Sequence, residues 1–175
     1  KLASAYGILA TDGVRLPVCI RKRQRPPAGC QVLPADVVME INAMLEKVVS
    51  QEGTEQRARV PAYRVAGKTG TVRKLSAQGG YRDDSYQALF AGFAPVSEPR
   101  FVLVVVIDEP GLDQYYGGEV AAPVFAKIMA DALRLRGVLP DAGDRAKQIV
   151  RSEEHTAEPQ SRASLVCPLL LATQQ

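Results

Sequence analysis

The sequence predicts an α+β fold in which an antiparallel sheet of three strands is packed with helices. Two segments with helical period, and the strand-like runs between them, carry this reading. In "PADVVMEINAMLEKVVSQEG", Val37, Val38, Ile41, Leu45, Val48 and Val49 form one apolar face at 3.6-residue spacing. "GGEVAAPVFAKIMADALRLRG" resumes that period with Phe125, Ile128, Met129 and Ala132 on one side. Between them, "AYRVAGKTGTV", "YQALFAGFAP" and "RFVLVVVIDEP" are short, rich in aromatic or β-branched residues and free of a helical stripe.

Taken in order, "KLASAYGILATDG" places Leu2, Tyr6 and Leu9 at helical spacing and stops at Asp12-Gly13. Residues 14–31 read as an irregular, basic connection. The next helix begins with Pro34 at its first position, Asp36 near its positive N-terminal end, and Gly53 as its stop. The valine-rich run Phe101–Ile107 is continuous, as expected of a strand covered on both faces. The turn "PVSEPR" is short enough to join it antiparallel to the run before it. Gly137 and Pro140 close the last helix. Runs of strands and helices in this order are satisfied by helices packed on an antiparallel sheet.

The chain has 175 residues, of which 46% are hydrophobic and 23% charged, enough for one packed domain. Its net charge of +3 is too small to imply nucleic acid. The most basic cluster, Arg21 to Arg25, runs into Pro26-Pro27 and contains no aromatic residue for base stacking. The longest apolar run falls far short of the ~20 residues needed to cross a bilayer, so the segment itself is expected to be soluble. Lys1 lies in mid-helix with no initiator Met, and upstream sequence, with room for a membrane anchor, is expected to precede it. The three cysteines, Cys19, Cys30 and Cys167, show no Cys-x-x-Cys spacing and predict no zinc site. Cys19 and Cys30 are open to pairing in an oxidising compartment, but free thiols are the simpler reading.

Beyond about Ala146 neither period nor turn logic persists. "RSEEHTAEPQS" resembles a translated sequencing-adapter oligonucleotide, differing at Ala157 and Pro159. Two units are therefore expected: residues 1–145 as the folded part and 146–175 as an unstructured tail of artefactual origin. A natural disordered terminus is the alternative. The only histidine, His155, lies in that tail.

The chemistry is concentrated in "YRVAGKTGTVRK", residues 63–74. A phosphate-binding loop would need glycine at 62, where Ala62 stands, and a helix after Thr69, where the chain continues as a strand. A lysine followed by Thr-Gly on a strand instead matches one of the motifs of serine penicillin-binding proteins and β-lactamases. There Lys68 supplies fixed positive charge, Thr69 and Thr71 offer hydroxyls to a carboxylate, and Gly70 leaves the strand edge bare for a ligand backbone. The backbone N–H of Thr71 can face a developing oxyanion.

"AYGILATDG", "YRVAGKTGTVRK", "LFAGFAP", "VVVIDEP" and "GGEVAAPVFAKIM" occur together and in order. This series resembles the C-terminal part of the transpeptidase domain of septal, class B penicillin-binding proteins, from Lys1 to about Pro140. The resemblance implies a partial penicillin-binding/β-lactamase-like fold. It also implies a D,D-transpeptidase that cross-links peptidoglycan stem peptides ending in D-Ala-D-Ala, is acylated by β-lactams, and uses no metal or organic cofactor. By the same resemblance the parent is anchored in the inner membrane with its catalytic domain in the periplasm, within a division complex.

Lys68 and Thr71 carry over as catalytic residues, and Thr69 and Gly70 as substrate-binding ones. Arg73 shares the strand face of Thr71 and is a candidate for an acidic group. Tyr86, Tyr115 and Tyr116 are candidates for an aromatic wall, with a core position the alternative for Tyr86. Asp108-Glu109 reads as a structural strand-end pair. The family's Ser-x-x-Lys and Ser-x-Asn motifs are absent, since Ser4, Ser50, Ser76, Ser85 and Ser97 start neither. The nucleophile is expected upstream, and the chain alone is expected to be inactive. Strands supplied from upstream would leave the 101–107 strand with an uncovered edge here. A β-lactamase or carboxypeptidase of the same superfamily, and a nucleotide-binding module, are the alternative functions.

Overall fold

A computed structural model describes residues 1–21, 25, 27–50, 53–76, 79–111 and 114–143, with the backbone alone at 83 and 84. The helices are α1 (Leu2–Leu9), α2 (Ala35–Val49) and α3 (Gly117–Leu135). The main sheet contains β3 (Ala66–Leu75), β4 (Tyr81–Ala94) and β5 (Phe101–Asp108), antiparallel and in sequence order. This is the expected α+β arrangement. The tail expected over 146–175, with Cys167 and His155, lies outside the described residues, as does part of the basic cluster near Arg21.

Three details differ from the expectation. The stretch 14–31 is not wholly irregular: β1 (Val14–Arg15) and β2 (Cys30–Gln31) pair antiparallel. Pro34 caps α2 from outside in extended conformation and is not its first residue, and the helix ends at Val49, before Gly53. A Cβ at Gly53 would collide with the carbonyls of Lys47 and Val48, so the glycine serves the chain's return over the helix end. β5 is buried on one face only: Phe101, Leu103 and Val105 are inside while Val106 is half-exposed. Cys19 and Cys30 form no disulfide, and both are exposed.

The core follows from strand alternation. Phe90, Leu103 and Val105 meet Phe125, Met129 and Leu133 of α3, all within one apolar cluster. The Phe90 and Phe125 rings lie 4.5 Å apart and tilted by 52°, a favourable aromatic geometry. Ala91 and Phe93 point to the other side of β4 and are equally buried. Among the described strands β5 pairs only with β4, so its outer edge has no strand neighbour, as expected; β3 is the opposite edge. No helix of the described residues is long and apolar enough to cross a membrane.

Candidate active site

β3 runs unbroken from Ala66 to Leu75, so no helix follows Thr69 and the geometry of a phosphate loop is absent there. Its antiparallel register sets Lys68 opposite Ala91, Gly70 opposite Leu89, Thr71 opposite Ala88 and Arg73 opposite Tyr86. Lys68 Nζ donates to Thr69 Oγ1 at 3.0 Å, so the long side chain reaches round to its neighbour's hydroxyl. Thr71 Oγ1 accepts the backbone N–H of Gly117 at 3.1 Å. With that lone pair used, the hydroxyl proton of Thr71 is free to point at a ligand.

Gly70 meets a second constraint beside the open edge. A Cβ there would come within 3.0 Å of the Leu89 side chain, so cross-strand packing also restricts the position. Gly117, at the start of α3, is more constrained: its Cβ would lie 2.5 Å from the Leu89 carbonyl and 2.7 Å from that of Gly70. The absence of this side chain lets the first turn of α3 close against β3 and β4. A cavity of about 440 Å³ opens at this junction, lined by Thr69, Thr71, Tyr116, Gly117 and Gly118.

The aromatic candidates come together. Tyr86 stacks on Tyr115 with centroids 4.2 Å apart and planes at 16°, and Tyr115 meets Tyr116 at 4.5 Å. The Arg73 guanidinium stands 5.8 Å from the Tyr86 ring centroid, within cation–π range. Tyr86 thus belongs to a surface wall and not to the main apolar cluster. The Tyr115 phenol is held above its ordinary value, first by its hydrogen bond with Tyr116, then by the Tyr116 charge, desolvation and Tyr86, with Arg73 opposing. Asp108 and Glu109 are engaged together by Lys74 at 2.9 and 3.0 Å, as befits a strand-end ion pair on the surface. Hydrogen bonds to Asp108 and then Glu109 raise the Lys74 pKa.

One residue escaped the sequence reading. Glu55, in the polar link after α2, is buried and accepts hydrogen bonds from Lys68 Nζ at 3.0 Å and from the Thr69 hydroxyl. It also lines the cavity. A lone glutamate between Thr54 and Gln56 carries no periodic or motif signal that could have found it. Among the described residues, no group of three or more His, Cys, Asp or Glu is placed to hold a metal ion.

Residues 1–130 match the family described as the penicillin binding protein transpeptidase domain. The chain is 41% identical over 155 residues to a probable peptidoglycan D,D-transpeptidase, PbpC, of Pseudomonas aeruginosa, covering 89% of this chain and 27% of that protein. It is 40% identical over 159 residues to the peptidoglycan D,D-transpeptidase FtsI of Escherichia coli, with the same coverage. The solved apo transpeptidase domain of Burkholderia pseudomallei penicillin-binding protein 3 superposes with a TM-score of 0.72 at 42% identity, over 81% of this chain and 43% of that one. The chain thus spans about a quarter of the length of these curated relatives. With the ordered motifs, the antiparallel sheet and the Lys-Thr-Gly edge strand all in agreement, the chain belongs to the penicillin-binding protein transpeptidase domain family.

Proposed function

We propose that this chain is one wall of the active site of a penicillin-binding peptidoglycan D,D-transpeptidase that cross-links stem peptides during septal cell-wall synthesis. The observation that carries the reading is the Lys68 ammonium bonded to the Thr69 hydroxyl, with Thr69 and Thr71 lining one cavity, on the edge strand of a chain of this family. The unit that contributes this wall is residues 1–145, with 146–175 outside it.

In the proposed reaction a serine from another segment of the intact protein attacks the carbonyl of the penultimate D-Ala. The peptide C–N bond breaks, terminal D-Ala leaves as the amine, and an acyl-serine ester forms. An amine of a second stem peptide then attacks the ester, forming the cross-link and returning the serine. Lys68 supplies positive charge beside the reacting groups. Thr69 and Thr71 bind the terminal carboxylate of the donor, and the edge of β3 around Gly70 lies along its backbone. Arg73 and the Tyr86–Tyr115–Tyr116 wall bound the site on its outer side. β-Lactams present a carboxylate and a strained amide to the same groups, which makes the protein their target. The intact enzyme acts in the periplasm from an inner-membrane anchor, as part of a division complex.

Labelling with fluorescent penicillin tests this. The intact protein carrying this chain should be labelled, and Lys68→Met and Thr71→Val should slow labelling by about 10²-fold, the order lost with one preorganised donor. The 175-residue chain alone should not be labelled. Labelling of that chain would reveal a nucleophile among its own residues, and an intact protein that never labels would refute the assignment.

A further inference from the structure

The cationic site of β3 is already engaged by a carboxylate of the same chain. Glu55 Oε1 lies 3.0 Å from Lys68 Nζ and also accepts the Thr69 hydroxyl, while Lys68 Nζ lies 3.0 Å from Thr69 Oγ1. The three groups close a triangle. Its carboxylate corner is buried, with the Glu55 side chain 8% exposed, and its ammonium corner is open, with that of Lys68 48% exposed.

Glu55 is set in place by its surroundings. Its backbone N–H donates to the Val48 carbonyl at 3.0 Å, and its carbonyl accepts the Ala58 N–H at 3.0 Å, at the entry of a short 3-10 turn over Gln56–Ala58. Its second carboxylate oxygen lies against the first turn of α3, whose dipole favours an anion. Gly118 leaves the room for it: a Cβ at 118 would stand 2.6 Å from Glu55 Oε2. The carboxylate lines the same cavity as Thr69 and Thr71. An ammonium and a threonine hydroxyl converging on one carboxylate oxygen form the donor pair that a ligand carboxylate would use, and here Glu55 occupies it.

We propose that Glu55 is a built-in surrogate for the ligand carboxylate, which a carboxylate-bearing ligand must displace before Lys68 and Thr69 can bind it. The proposal rests on the transpeptidase reading above. Two carboxylates cannot share one ammonium and one hydroxyl without mutual repulsion. A competitor on the same chain acts at an effective concentration in the millimolar range or above. It therefore lowers the apparent affinity of every ligand that brings its own carboxylate, and leaves ligands without one untouched. In the unliganded site the same contact holds the Lys68 ammonium against Thr69.

The experiment compares the intact protein with its Glu55→Gln and Glu55→Ala variants, each shown to be folded by circular dichroism. Second-order acylation rates are measured for benzylpenicillin and for its methyl ester, which lacks the free carboxylate. In both variants the rate with the acid should rise, and its ratio to the rate with the ester should rise about tenfold, the equivalent of one charge-assisted hydrogen bond removed from the competing state. The alanine variant settles the case in which glutamine keeps the bond to Thr69 and holds the site closed. An unchanged or slower rate with the acid in both variants, or an equal gain with the ester, would overturn the proposal. Absence of labelling in the wild-type protein would refute the transpeptidase reading itself.

Discussion

Replacing Gly117 by alanine should destabilise the protein by about 2–3 kcal/mol. The added Cβ would stand 2.5 Å from the Leu89 carbonyl oxygen, 2.7 Å from that of Gly70 and 3.3 Å from Thr69 Cβ. Gly70 and Leu89 are register partners on β3 and β4, so neither oxygen can yield without disturbing the ladder. Overpacking against such groups costs about 1–3 kcal/mol. Moving α3 away to relieve it lengthens the 3.1 Å bond from Gly117 N–H to Thr71 Oγ1, a loss of about 0.5–1.5 kcal/mol. The gain in helix propensity from glycine to alanine, up to about 1 kcal/mol in a helix interior, is smaller at this terminal position. Gly118→Ala is the matched control. Its Cβ would meet Glu55 Oε2 at 2.6 Å and the Thr69 methyl at 3.8 Å, so relief requires one side-chain carboxylate to shift and leaves the two ladder carbonyls in place, and the cost should be about 1 kcal/mol, below that of Gly117→Ala. Urea unfolding of the intact protein measures both. Equal destabilisation by the two substitutions would refute the account of how α3 closes on the strands.

Other outcomes are equally specific. Phe125→Ala, at a fully buried ring packed on Phe90, should cost about 3–5 kcal/mol in the same unfolding assay. Ala62 holds a left-handed φ of 69°, so Ala62→Gly should stabilise by up to about 1 kcal/mol, the relief of strain partly offset by a freer unfolded chain. Desolvation raises the phenols of Tyr6 and Tyr63 above the ordinary value of 10.0, with Asp141 adding to the shift at Tyr63. A raised folded pKa gives stability that is complete below the unfolded value and is lost as pH rises through the folded one. Stability should therefore fall above about pH 10, and Tyr6→Phe should flatten that fall in a pH series of urea midpoints.

The elements with a sustained hydrophobic period were legible in the sequence. α2 and α3 announce themselves through repeated apolar positions, and β3 to β5 through short β-branched and aromatic runs. β1 and β2 have two residues each, separated by prolines and a basic stretch, and two residues cannot display a period. β4 begins at Tyr81, earlier than its apolar run: Tyr81 pairs with Leu75, the register shifts between there and the Arg73–Tyr86 pair, and the polar "YRDDS" gives no strand signal of its own. At the site, Lys68, Thr69, Gly70 and Thr71 could be named because they are contiguous. Glu55 lies 13 residues from Lys68, and only the fold brings that carboxylate and ammonium together. The second constraint on Gly70 was invisible for the same reason: Leu89 is its neighbour across the sheet and not along the chain.

The chain that leaves α3 turns back to grip the entry of β3. Tyr63 Oη donates to the Val138 carbonyl at 2.5 Å, the Arg64 N–H donates to Asp141 Oδ1 at 2.6 Å, and Ala142 N–H donates to the Ala62 carbonyl at 3.0 Å. Asp141 also receives the N–H and hydroxyl of Ser97, in the turn between β4 and β5. Arg64 in turn clamps Glu46 of α2 through both of its carboxylate oxygens. These bonds span up to 80 residues of sequence, from Ala62 to Ala142, and reach a point two residues before Ala66. During synthesis, residues 62–64 emerge long before their partners at 138–142, and such distant contacts close late. The segment leading to Lys68 therefore gains its last fastenings only after α3 has left the ribosome, and a polypeptide terminated at Gly137 would retain every residue of the Lys-Thr-Gly strand and the Arg64–Glu46 clamp but lose the bonds to Val138, Asp141 and Ala142.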